Sequence, residues 1–278
     1  MKPFARSSEG YNYLGLIMQT TVTLTQRETH WTLTLVAPGN KPPTIDYQVL
    51  SELNGALDKV AAATASGADD APRCLVVEST SERCFCAGAN ISILGTLSGK
   101  TIADWVERGH AALNRLEDLP IPVVATVRGY ALGGGLELAL ACDLIVCDRS
   151  AKLGLTEANI GFVPGWGGSF RLPRRVGVPI AKRMFYTAEM VEADSALSRG
   201  LADAVVEASE LESWVADFSR NLAEKSEVGI RGFKTILNAQ DRAARDANCL
   251  AETAHSLVCI GNPDTRRRIN AFLEKRKS

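Results

Sequence analysis

Two acids and a run of glycines stand out as the residues of this 278-residue sequence with chemistry to offer. In "GYALGGGLELALACD", Gly129 to Asp143, three consecutive glycines stand directly before an apolar run that holds one acid, Glu137. Glycine in a helix interior costs up to about 1 kcal/mol relative to alanine, so Gly133 to Gly135 need a local reason. The first turn of a helix leaves N–H groups unpaired, and the dipole makes that end electropositive. Missing side chains let a ligand approach those groups closely. The triplet therefore suits an oxyanion-binding turn, although tight packing of the helix on a sheet would use the same residues. Glu137 lies among Leu136, Leu138, Ala139, Leu140 and Ala141. A helix that is apolar all round is buried, and an unpaired carboxylate inside it is costly. Such an acid has a specific partner or serves chemistry; an exposed first-turn acid that complements the dipole is the simpler alternative. A second acid, Glu157, follows a short extended piece in "LGLTEANIGFVPGWGGSFRLPRRVG". On its own it reads as a surface carboxylate. "PGWGG", Pro164 to Gly168, is a second small-residue turn before a helix.

Other chemistries lack their residues. The triplet has neither the G-x-G-x-x-G spacing of a dinucleotide site nor the lysine of a phosphate loop, and no serine sits in a G-x-S-x-G elbow. Cys86, in the small-residue loop "FCAGANI", has no histidine near it in sequence, so a small buried thiol is expected. His30, His110 and His255 fall in no metal-ligand spacing, and no metal site is expected.

The elements that must position these residues alternate. Thr20–Gln26 and His30–Val36 are β-rich with period two, joined by a hairpin turn at "RET". "APGNKPP" is a loop by composition, and Val49, Leu50, Leu53, Leu57 and Val60 mark one face of a helix. Buried strands are expected at Cys74–Ser79, Val123–Val127 and Asp143–Cys147, with an amphipathic helix at "TIADWVERGHAALNRLEDL". Tyr130 to Leu132 read as a connection to a helix that starts near Gly134. This is an α/β pattern with parallel strands from Thr20 to about Val206. From about Leu211 every segment is helical, so residues 19–210 read as the core and 211–278 as a helical section.

Composition bounds the partners. Lys and Arg total 31 and Asp and Glu total 32, a net charge of −1, so no nucleic acid is expected as a general partner. No apolar stretch reaches the roughly 18 residues of a membrane span. Seven cysteines, an odd number and mostly in apolar runs, read as free thiols in a reducing compartment, hence a cytoplasmic protein. Residues 1–18 read as a leader or an overlong start, with Met18 as the alternative first residue.

Taken together, "FCAGANI", "IPVVATVRGYALGGGLELALACDLIV" and "TEANIGFVPGWGGSFRLPRRVG" resemble the enoyl-CoA hydratase/isomerase family, the crotonase superfamily, in order and spacing. The resemblance runs from about Thr20 to the C-terminus. It implies a crotonase-like spiral of ββα turns with a helical C-terminal trimerisation section, assembled as a homotrimer or homohexamer. It implies an acyl-CoA thioester as substrate, and no cofactor beyond the coenzyme A of that substrate. Carried over, the family's oxyanion hole falls on the backbone N–H groups of Ala89 and Gly134, and its two acids on Glu137 and Glu157. Glu157 is then the donor of a proton to Cα, and Glu137 the group that orients and activates water, with the Gly165 N–H holding that water. Ala87, Lys41, Phe272 and Lys275 fall on substrate or CoA contacts. Ile93, Leu94, Leu97, Trp105 and Trp166 are expected to wall the acyl pocket. Both acids together point to hydration of a 2-enoyl-CoA; isomerisation needs one of them, and a non-catalytic binding relative needs neither. The sequence departs from the family at Asn90, where Asp is common, at "LTE", where a proline often precedes the acid, and at "APGNKPPTID", which replaces the usual loop over CoA.

Overall fold

The computed structural model describes residues 19–28, 30–66 and 71–275; the leader expected at residues 1–18 lies outside them. Two sheets stand side by side, and the chain winds between them. The larger holds β1 (Thr21–Gln26), β2 (Trp31–Val36), β3 (Leu75–Ser79), β5 (Val123–Val127), β7 (Leu144–Asp148) and β10 (Ala204–Val206), in the order β1-β2-β3-β5-β7-β10. Only the β1–β2 hairpin is antiparallel in this sheet. The smaller holds β4 (Cys84–Cys86), β6 (Tyr130–Leu132), β8 (Lys152–Gly154) and β9 (Val191–Glu192), in the order β4-β6-β8-β9, with β8–β9 antiparallel. Each of the pairs β3–β4, β5–β6, β7–β8 and β9–β10 puts one strand in each sheet, and helices carry the chain back. This agrees with the spiral that the resemblance implies.

The strand sequences explain their places. Val123–Val127 is buried at every position, as a central parallel strand covered on both faces must be. Its core side meets α1 (Tyr47–Ser66) and α3 (Ile102–Glu117), and its back is covered by α8 (Leu211–Ala223), which sets Leu211 and Val215 against Val124, Val146 and Val76. On α3 the buried positions Ile102, Trp105, Val106, Gly109, Leu113 and Leu116 recur every three or four residues, one stripe of the helix.

Two expectations are corrected here. Tyr130–Leu132 is strand β6, not a connection, and Phe85 and Cys86 of the expected loop belong to strand β4. Both strands are three residues long, too short for a period to register.

Three more elements reach the site. The helix α4 (Gly134–Leu140) leaves β6, α5 (Gly168–Val176) follows "PGWGG", and α9 (Glu227–Gly261) lies along α3 and α5. Ser226 caps α9 through the Gly229 N–H. The buried face of α9 is mainly polar. Lys234 Nζ lies 2.6 Å from Asp143 Oδ2 and 2.9 Å from the Ile121 carbonyl. Arg245 pairs with Glu117 and Asp118 at the end of α3. Lastly α10 (Pro263–Lys275) packs on α2 (Ile91–Thr96).

Candidate active site

One cavity of about 230 Å³ gathers most of the residues singled out in the sequence: Ala87, Ala89, Gly134, Glu137, Glu157, Gly165 and Phe272 all line it. Two are placed elsewhere. Lys41 lines a separate depression with Asn90 and Leu273, and Lys275, the last residue of α10, is not part of the cavity wall.

The two main-chain donors meet for a geometric reason. Ala89 forms a parallel bridge to Ile45, in which the Ile45 N–H donates to the Gly88 carbonyl and the Asn90 N–H to the Ile45 carbonyl, both at 2.8 Å. Alternation along an extended chain turns the Ala89 N–H to the opposite side. Gly134 begins α4, where an N–H has no carbonyl within its own helix. The two residues approach closely because no side chains intervene. A Cβ on Gly134 would lie 3.3 Å from the Ala89 nitrogen and 2.6 Å from the Trp166 ring; one on Gly88 would lie 3.1 Å from the Gly134 nitrogen. The neighbouring glycines have separate reasons. Gly133, at φ +52°, takes the left-handed turn into α4, and a Cβ on Gly135 would stand 2.1 Å from the Cys86 carbonyl oxygen. The triplet thus serves helix packing and an exposed amide together.

Glu137, 2% exposed, is buried as its apolar neighbours require. Its Oε1 accepts the N–H groups of Trp166 at 2.7 Å and Gly168 at 2.8 Å. The amides that reach it thus follow Gly165, the residue expected to hold water, by one and three positions. Burial pushes the Glu137 carboxyl well above its usual range; the charges of Glu252 and Glu157 add to this, and the two amides oppose it. Glu157 opens a short 3-10 turn, Glu157–Ile160, and its carboxylate lies over Gly133, whose hypothetical Cβ would be 3.2 Å from Oε1. Its Oε2 is cut off from solvent with no hydrogen-bond partner. Burial pushes Glu157 up to about 7, with its own N–H opposing and Glu252 adding. Two buried carboxyls facing one cavity share protons near neutrality, so one can give a proton while the other takes one.

The walls agree in part with expectation. Leu94, Trp105 and Trp166 line the cavity, while Ile93 and Leu97 do not. On the short helix α2, Leu94 turns inward, whereas Leu97, its C-cap, is buried in the core. Val106, Ile160 and Phe162 also line the cavity and were not legible as such. Trp105 and Trp166 are in contact, ring centres 5.1 Å apart, and Tyr47 meets Trp105 edge-on at 4.8 Å. Trp166 fits because α3 has a glycine under it: a Cβ on Gly109 would lie 2.0 Å from Trp166 Nε1. Cys86 is fully buried, and burial pushes its thiol up to about 12, which keeps it from acting as a thiolate. Glu252, from α9, was not anticipated; nothing in "NCLAETAHSL" marks an acid that the fold buries to 4%.

Comparison with known proteins places this geometry. The enoyl-CoA hydratase/isomerase family matches residues 33–278. A crotonyl-CoA hydratase of Syntrophomonas wolfei is 35% identical over 78% of this chain and 84% of its own length. A short-chain-enoyl-CoA hydratase of Clostridium acetobutylicum is 34% identical over 73% of this chain and 78% of its own. Among solved structures, Pseudomonas aeruginosa DspI superposes with a TM-score of 0.72 at 29% identity, covering 98% of both chains. An enoyl-CoA hydratase from Mycobacterium avium subsp. paratuberculosis superposes at 0.79, with 24% identity, over 92% of this chain and 97% of that one. The family match takes in the smaller sheet, the larger sheet from within β2 onward, the glycine triplet, both acids and α9, and the chain belongs to the enoyl-CoA hydratase/isomerase family.

Proposed function

We propose that the protein is an enoyl-CoA hydratase that adds water to a short-chain 2-enoyl-CoA thioester, and that Glu137 and Glu157 divide the proton transfers. The observation that carries this reading is the approach of the Ala89 and Gly134 amides beside two buried carboxyls on one cavity. The thioester oxygen takes both N–H groups. Glu137, whose Oε1 bears two amide donors that favour the carboxylate, takes a proton from water. The hydroxide oxygen bonds to C3, the C2–C3 π pair moves toward the thioester, and the oxygen becomes an enolate. Each donor is worth about 2.7–4 kcal/mol of barrier in sites of this kind. Glu157, whose unpartnered Oε2 can carry a proton without losing a bond, delivers it to C2. Proton and hydroxide together make one water, and the two carboxyls exchange protonation states.

Several further assignments belong to this reading. No cofactor is used beyond the coenzyme A of the substrate. Ala87 and the part-exposed Phe272 contact the CoA at the cavity mouth, with Lys41 and Lys275 on its nucleotide end. The small cavity and the paired tryptophans favour a short acyl group, in keeping with the names of the two relatives. The apolar side chains exposed along α9 support a homotrimer or homohexamer. No helix among the described residues is long and apolar enough to cross a membrane, and seven free cysteines fit the reducing cytoplasm.

The test is a series of 2-enoyl-CoA thioesters of rising chain length, with mass analysis for the gain of one water and loss of the conjugated absorbance. Isomerisation of a 3-enoyl thioester would instead create that absorbance without changing mass. Glu137→Gln and Glu157→Gln are each expected to lower kcat by about 10²–10⁴-fold, the worth of a positioned acid or base. Wild-type turnover in both variants would overturn the reading.

A further inference from the structure

Four consecutive amides, from Trp166 to Ser169, are shared alternately between two buried glutamate side chains. Those of Trp166 and Gly168 donate to Glu137 Oε1. Those of Gly167 and Ser169 donate to Glu252, at 2.8 Å to Oε2 and 3.1 Å to Oε1. The Ser169 hydroxyl also donates to Glu252 Oε1, and Asn248 Nδ2, one turn earlier on α9, donates to Ser169 Oγ at 2.8 Å. Behind Glu252 stands His110 of α3, its Nε2 3.0 Å from Glu252 Oε2. His110 is 2% exposed and Glu252 4%. Glu252 does not line the catalytic cavity; it borders a separate apolar one between α5, α6 (Val178–Thr187) and α9.

Alternate amides of a tight turn point to opposite sides, so a turn gripped from one side only is free to rock. Here each glutamate satisfies the amides the other cannot reach. A neutral acceptor would serve a merely structural clasp, without the cost of a third buried carboxylate near two others. We propose that Glu252, backed by His110, is the positioning residue for Glu137: it clasps the far side of the Trp166–Ser169 turn, so that the near-side amides hold the Glu137 carboxylate at the cavity. The inference rests on the reading of Glu137 as the group that takes the proton of water.

The clasp has an electrostatic side. Glu137 is faced by Glu157 from the 3-10 turn, by Glu252 from α9 and by His110 of α3 behind it. Arg171 of α5 approaches through the Trp166 carbonyl, 2.8 Å from its Nη1, and is itself paired with Glu117 of α3. After burial, the charge of Glu252 is the largest influence that keeps Glu137 from ionising. Removing that charge lets Glu137 become a carboxylate at lower pH.

The experiment compares Glu252→Gln, Ser169→Ala and Glu137→Gln with the wild type, each checked for folding by circular dichroism, for kcat, KM and the pH profile of kcat/KM in hydration. Glu252→Gln is expected to lower kcat by about 10–100-fold with KM within about twofold, as loss of positioning does, and to move the acid limb to lower pH. Ser169→Ala, at an exposed position, keeps the charge but removes one anchor; it is expected to lower kcat by roughly threefold without moving the limb. If Glu252→Gln is folded but keeps the wild-type kcat and limb, or raises KM alone, the proposal is overturned while an inactive Glu137→Gln leaves the underlying reading intact. If Glu252→Gln does not fold, an unchanged kcat in Ser169→Ala overturns it. An active Glu137→Gln removes the underlying reading instead.

Discussion

Glu157 holds a proton that an exposed glutamic acid would release, and two measurements follow from that. Its carboxyl stands at about 7 in the fold, against an ordinary 4.5, chiefly because it is buried. In the proposed role of C2 proton donor it must be protonated for hydration, so kcat/KM is expected to fall as pH rises through about 7. Stability follows the same proton. The folded chain binds it more tightly than the unfolded chain, so this contribution is complete below pH 4.5 and is lost as pH rises through about 7. Glu157→Gln is therefore expected to be more stable than the wild type at pH 8, by about 1–3 kcal/mol, and equal to it near pH 4. Denaturant titrations at the two pH values check this, and equal stability at pH 8 would contradict it. At this scale the sequence was uneven. Glu137 could be read because its neighbours are apolar, and burial follows from that. Glu157 resembled a surface acid, since what buries it is the fold of its turn over Gly133. Glu252 could not be read at all, because its partners, His110 and the Trp166–Ser169 turn, come from distant parts of the chain.

The elements turn main-chain geometry into chemistry. The bridge at Ile45 aims one amide, the start of α4 exposes the other, and glycines let the two approach. Gly134→Ala would press a methyl group 2.6 Å from the Trp166 ring, so either the ring or the amide must move. The expected loss in kcat is about 10²–10³-fold, the range for one lost oxyanion donor, and steady-state kinetics on a short 2-enoyl-CoA checks it. Legibility here depended on length. Apart from the three-residue β10, the larger sheet has strands of five or six residues with apolar runs or alternation, and these, β1, β2, β3, β5 and β7, were readable. The smaller sheet is built of strands of two or three residues, below any period, so its position beside the site emerged only from the fold. The same limit misplaced Ile93 and Leu97 as pocket walls, since a helix of six residues does not define which face turns inward.

Over the whole molecule, α9 has two opposed characters. One face buries Lys234, Arg245 and Glu252 against the core, joining the helix to Asp143, to the end of α3 and to the site. Its other positions expose Phe233, Ile236, Leu250 and Val258, each at least 60% open in the single chain. Exposed apolar side chains gathered on one element mark a contact surface, which supports the proposed assembly. If the wild type is the proposed trimer or hexamer, Leu250→Asp with Val258→Asp is expected to leave a monomer by light scattering; an unchanged mass would place the contact elsewhere. The change from alternating strands and helices to helices alone was plain in the sequence, but which side of α9 meets the core was not, because its buried positions are polar.

The donors proposed for the thioester oxygen belong to the main chain, and this bears on heredity. A single codon change can replace either acid or either tryptophan outright. Of the encoded residues only proline lacks an amide hydrogen, so any other substitution at position 89 or 134 removes a donor only by displacing the main chain, as the methyl of Gly134→Ala would. Mutation can therefore delete either proposed acid through its own codon, but reaches the proposed amide donors only through the packing that places them.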